Sequence, residues 1–277
     1  MVVLLALIAA LVSGTADYTG GRAATRRSAL AVNFWSQLVN AVLLPICVLL
    51  IGWNHLHRSD IVLGLVAGLA VGVAYLLFFH ALAAGRMSVV APLAALTTAL
   101  VPVAADVIGG ISLPGGRWAG LGLALIAIPA LAFRRDVGSG SMSLRQEIGY
   151  AVLAGLGFAG FFMAIGHTST DSGQWPVAFA AFAATTTMGT LCVARHLPVG
   201  RPPGLALLTG LLMVGSGLAI TRALQVGPIA VATVLGSLYP LATTALAHRF
   251  DHEPVGRLNV AGILLAIVGA SLIAIYR

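Results

Sequence analysis

The sequence predicts an all-α integral membrane protein, with ten transmembrane helices arranged as two inverted five-helix repeats. Three observations carry that prediction. The 277 residues are 59% hydrophobic and only 8% charged, with a mean hydropathy of +1.01. A water-facing surface needs about 25% charged residues, so the chain is built for lipid. Apolar runs recur at about 17 to 25 residues, the length that crosses a hydrocarbon layer of about 30 Å as a helix. Finally, Phe78 to Val103 aligns without a gap on Ile220 to Ala245 at an offset of 142, so that Ala81, Leu82, Gly85, Val89, Leu93 and Leu96 meet Ala223, Leu224, Gly227, Val231, Leu235 and Leu238. An Ala-Leu-x-x-Gly corner at the same rank in each half marks a duplicated chain.

The elements follow in order. Val2 to Gly20 has no basic stretch before it and is expected as a retained span, not a cleaved signal peptide. Ala29 to Trp53 carries Asn33, Gln37 and Asn40 on one helical face, expected as a hydrogen-bonding seam to a neighbouring helix. Ile61 to Ala84 holds Gly64, Gly68 and Gly72, a stripe of small residues that lets another helix approach closely, with a substrate groove as the second reading. Met87 to Ile108 and Arg117 to Phe133 complete the first repeat, residues 1–133. The polar linker 134–147, RRDVGSGSMSLRQE, separates it from the second repeat, residues 148–277. There the runs are Ile148 to Gly166, Trp175 to Ala194, Gly204 to Val226, Ile229 to Arg249 and Arg257 to Tyr276. They lack the alternating polarity of barrel strands and are too long for them. Pro45, Pro92, Pro102, Pro129 and Pro240 lie inside runs, where each frees a carbonyl and bends its helix.

Five spans per repeat turn the second copy upside down, a plan shared by many secondary transporters. All 15 basic residues are arginine. Eleven of them, among them Arg22, Arg26, Arg27, Arg134 and Arg201, follow odd-numbered spans; Arg58, Arg117 and Arg277 lie on the other face, and Arg222 lies inside a span. That bias predicts the richer face in the cytoplasm of a cell (plasma or inner) membrane and both chain termini outside. The arginines are scattered singly, so no nucleic-acid surface is expected.

Ten short helices in two copies, the Ala-Leu-x-x-Gly corners, and the motifs Gly120-Leu121-Gly122-Leu123 and Gly262-Ile263-Leu264-Leu265 together resemble the EamA-type branch of the drug/metabolite transporter superfamily. The resemblance implies a transporter of small metabolites with a central cavity walled mainly by spans 1, 3, 4, 6, 8 and 9, and a peripheral second helix. It also implies a glutamate after the fourth helix of each repeat. Glu253 stands there in the second copy, whereas the first reads GGISLPGG.

Charged groups in hydrocarbon cost a few kcal/mol or more, so each asks for a partner or a task. Asp17 and Tyr18 late in span 1 lie at the same depth as His80 late in span 3, which makes an Asp17–His80 proton relay the hypothesis for coupling to protons. The alternative is that Asp17 anchors to Arg22. Asp106 and Arg222 approach the opposite face as a structural clasp or a substrate gate. At the 142 offset, His80 falls on Arg222, Thr97 on Tyr239 and Asp106 on His248, so the repeats differ where their chemistry sits. Tyr75, Thr97, Thr98, Ser237 and Tyr239 decorate spans 3, 4 and 9, as cavity wall or as hydroxyls bonded to their own backbone.

His55-Leu56-His57 and the segment His167 to Asp171 have no third partner at metal-ligand spacing, so no metal is expected. No phosphate-cradling loop occurs, so no nucleotide drive and no cofactor are expected. The function read from these residues is a secondary transporter, exporter or permease, moving small metabolites or drugs by alternating access. A membrane-embedded enzyme or a lipid-handling or structural membrane protein is the alternative.

Overall fold

Alanine and glycine make the closest helix contacts while many large aliphatic side chains stand on the outside, and that pattern explains how the helices assemble. The structure, a computed structural model, describes residues 1–52, 55–85, 87–110, 114–132, 141–196, 200–251 and 256–276. They form α1 (Val2–Ala24), α2 (Ala29–Ile51), α3 (Arg58–Ala84), α4 (Met87–Ile108), α5 (Gly115–Ala132), α6 (Leu144–Gly166), α7 (Trp175–Ala194), α8 (Gly204–Val226), α9 (Ile229–Gly236), α10 (Pro240–Asp251) and α11 (Arg257–Ile275). All ten expected spans are helical, and the ninth is divided into α9 and α10. Among the described residues nine spans are long and apolar enough to cross a membrane, with α9 and α10 counted as one; the 18-residue α5 is the span outside that set. Trp53, Arg86, Arg134, Glu253 and Arg277 lie outside the described residues.

Two helix starts use the expected chemistry. Ser28 caps α2 by accepting from the Ala31 N–H at 3.2 Å. Ser143 and Gln146 form a reciprocal capping box at the start of α6, which satisfies two otherwise orphaned donors.

α3 displays the packing rule. Val62, Val66, Leu69 and Val73 form an exposed apolar stripe suited to lipid, while the glycine stripe on another face meets α7. A Cβ on Gly64 would stand 2.5 Å from the Pro176 carbonyl, and one on Gly72 would stand 3.2 Å from Ala184 Cα. The stripe is therefore a close helix contact, the packing that small residues permit where lipid supplies no hydrophobic drive. Alanine dominates the buried core for the same reason.

Contacts between the repeats obey a twofold exchange. α1 runs antiparallel to α8: Val2 lies at Gly227 and Thr19 bonds Thr209 at 2.8 Å. The swapped pair, α6 and α3, is antiparallel too, with Gly157 at Ala74 and Gly160 at Ala70. Gly68 of α3 packs on Ala180 and Ala183 of α7, and Gly210 of α8, its counterpart at the 142 offset, packs on Ser36 and Val39 of α2. α4 against α6 is matched by α10 against α1, and α5 pairs with α11 through Gly120 and Gly269. Because α8 opposes α1 while standing third in its own repeat, the second copy is inverted. Cys47 and Cys192 are free thiols.

Candidate substrate cavity and the broken ninth span

A cavity opens where the repeats meet, lined from α1, α2, α3, α6, α7, α8 and α9. Its lining is drawn from Ala9 early in α1, Leu44 late in α2, Phe161 late in α6 and Ile220 late in α8, so it occupies the half of the bundle nearer the start of α1. This corrects two expectations. α2 and α7 contribute to the wall, and no lining residue among those described comes from α4.

One side of the cavity is aromatic: Tyr75 of α3 packs edge-on against Phe158 of α6, ring centres 4.8 Å apart, with Phe161 and Phe162 beside them. The polar side begins with Ser13 of α1 and Ser216 of α8, whose hydroxyls bond each other. Opposite stand Gln37 and Asn40 of α2, 2% and 7% exposed. Asn40 Nδ2 donates to Gln37 Oε1 at 3.2 Å, which leaves Gln37 Nε2 and Asn40 Oδ1 with no partner in the protein. Each such buried orphan costs on the order of 1–3 kcal/mol. Of the three residues expected to form a seam along α2, Asn33 does so, donating to the Gly72 carbonyl of α3 at 2.9 Å, while Ser36 between them donates to the Ala206 carbonyl of α8 at 3.0 Å.

Asp17 lies one helical turn past Ser13, beyond the cavity floor. It is 4% exposed, and its Oδ1 has no hydrogen-bond partner. Beside it the ninth span breaks over Ser237, Leu238 and Tyr239. Pro240, first residue of α10, has no N–H for the carbonyl of Gly236, a cavity-lining residue. The break docks on α1 at Gly14, the only kind of residue that fits there, because the Tyr239 carbonyl stands where a Cβ would go. Thr243 Oγ1 donates to the Gly14 carbonyl at 3.1 Å and secures the contact. Ser237 is fully buried and its hydroxyl is unpartnered. Discontinuous spans with freed backbone and polar groups at a repeat interface are a recurrent way to build a transport site.

The remaining candidates are placed elsewhere. His80 is exposed, edge-on to Tyr150 of α6 with ring centres 5.2 Å apart, and does not meet Asp17. Arg22 donates to the Tyr18 hydroxyl at 2.8 Å, and Tyr18 also stacks near Phe250. Tyr239 reaches the Ala91 carbonyl of α4 with its hydroxyl, 3.3 Å away. Thr97 bonds back to Leu93 at 2.8 Å; Thr98 bonds back to Ala94 and across to the Gly155 carbonyl. Asp106 and Arg222 stay apart: Arg222 is exposed, and buried Asp106 accepts from the Ala230 N–H at 3.2 Å. Asp106 thereby caps α9 from another helix, supplying the acceptor and the negative charge that Pro228, at the N-cap, cannot. Sequence reasoning passed over Ser216 and the cavity-facing role of Gln37 and Asn40, although the spacing of the two amides marked them as one face.

Among curated proteins nothing matches the chain. One solved structure, described only as "Crystal structure of protein", superposes with a TM-score of 0.70 at 16% identity, covering 97% of this chain and 99% of its own, which speaks to the fold alone. The family model for the EamA-like transporter family matches residues 1–132 and 145–275. The chain belongs to that family.

Proposed function

We propose that this EamA-family membrane protein is a secondary transporter that moves small metabolites or drugs by alternating access, with the cavity as the substrate site and Asp17 as the coupling group for protons. The observation that carries the reading is the placement of Asp17: a buried carboxylate with an unpartnered oxygen, between the cavity and the break in the ninth span. Protonation would remove its charge as the break rearranges, so one proton moves with each change of access. His80, exposed on another face of α3, takes no part in this version of the coupling. The arginine bias argues for the cell membrane, with both chain termini outside.

Proteoliposomes loaded with a panel of labelled neutral, cationic and anionic metabolites test it. Substrate flux is expected to respond to an imposed pH gradient in the wild type. In Asp17→Asn, counterflow exchange should persist while the gradient response disappears. A full gradient response in that variant would remove Asp17 from the coupling.

A further inference from the structure

We infer that the cavity selects a neutral molecule bearing a carboxamide or cyclic-amide edge on a flat apolar ring, with Gln37 and Asn40 reading the amide; this rests on the cavity being the substrate site. The two side chains lie one turn apart on α2, are almost completely buried, and line the cavity. Their mutual bond uses one donor and one acceptor, leaving Gln37 Nε2 and Asn40 Oδ1 unpartnered. Turning both amides over exchanges the atoms but not the result: the pair still presents one donor beside one acceptor.

That pattern is complementary to a group with an acceptor and a donor side by side. A primary carboxamide has it, and so does the N–H/C=O edge of a lactam ring. A carboxylate does not, because it offers two acceptors and no donor, and it brings a charge into a wall whose side chains are all uncharged. A ketone fills only half of the pattern. A site whose buried polar groups must be satisfied rejects analogues that leave one of them empty. The rest of the molecule meets Tyr75, Phe158, Phe161 and Phe162, surfaces that take a ring by stacking and edge contacts.

Benzamide, benzoate and acetophenone are near-isosteric probes that separate these cases. Their equilibrium binding to the full-length protein in lipid nanodiscs, read by calorimetry or competition, should rank benzamide at least about tenfold tighter than either analogue. Gln37→Leu should reduce benzamide affinity by about tenfold while leaving acetophenone within about threefold. Gln37→Glu, whose ionised side chain only accepts, should widen the preference for donor-bearing benzamide over donor-free acetophenone and benzoate. Equal binding of all three probes to the wild type, no saturable benzamide binding, or a Gln37→Leu variant that binds benzamide as the wild type does would each overturn the inference. The wild-type ranking needs no variant to fold. These are binding measurements, whereas the transport reading is judged by flux, so either can fail while the other stands.

Discussion

The fourth and ninth spans descend from the same stretch, yet one is whole and the other is broken. α4 continues from Met87 to Ile108 through Pro92 and Pro102, whereas its counterpart stops at Gly236 and restarts at Pro240. Proline alone does not account for this, since Pro45 and Pro129 also sit inside unbroken helices. The difference lies before the proline. Where the first copy has Ala94 and Ala95, the second has Gly236 and Ser237, which are weaker helix formers by roughly 0.5–1 kcal/mol each. Pro240 then withdraws one backbone bond from a turn already weakened. Docking follows suit: Gly155 of α6 receives Ala94 and Thr97, while Gly14 of α1 receives Tyr239 and Ala242, an offset of 145 instead of 142, displaced by the three residues of the break.

The sharpest way to break this comparison is to remove the seat of the break. Gly14→Leu places side chain where the Tyr239 carbonyl and the Ala242 Cβ stand, and overpacking of this kind costs about 3 kcal/mol. Loss of monodisperse protein on size-exclusion chromatography is expected, and a wild-type profile would show that the break is not docked there. Next comes healing the span: Gly236→Ala, Ser237→Ala and Pro240→Ala together should leave the melting temperature equal or higher. The same variant should lose more than about tenfold in transport rate, about 1.4 kcal/mol. Unimpaired flux would remove the break from the mechanism. The reciprocal change, Ala94→Gly with Ala95→Ser, should weaken α4 by about 1–2 kcal/mol in chemical unfolding. Smallest, Asp106→Ala should cost about 1 kcal/mol by uncapping α9, against less than about 0.5 kcal/mol for exposed Arg222→Gln. Equal melting temperatures for these last two would sink the cap.

Most of the architecture was legible in the chain, because span length, the 142 offset and the glycine stripes are each set by local composition. Depth along the membrane was legible too: Asp17, Tyr75, Ser237 and Tyr239 all come to the cavity or to the break beside it. Rotation about each helix axis was not. A soluble helix announces its inner face by polarity, but here every face is apolar, so His80 and Arg222 were chosen by charge and lie exposed. His80 follows Phe79, which packs toward Gly20 of α1, and one residue is a turn of about 100°. Gln37 and Asn40 were misjudged because the family resemblance implied a peripheral second helix. The break was hidden because Pro240 by itself marks only a bend until Gly236 and Ser237 before it are weighed with it.

The exchange of partners between repeats also sets a timetable for synthesis. When only the first five helices have left the ribosome, α1 still lacks α8, α5 lacks α11, and the glycines of α3 face lipid instead of α7. Each repeat supplies only part of the cavity wall, so the first repeat alone does not enclose the site. Those helix faces gain their partners only once the inverted copy is in place, so a chain truncated after the first repeat would leave the glycines of α3 against lipid.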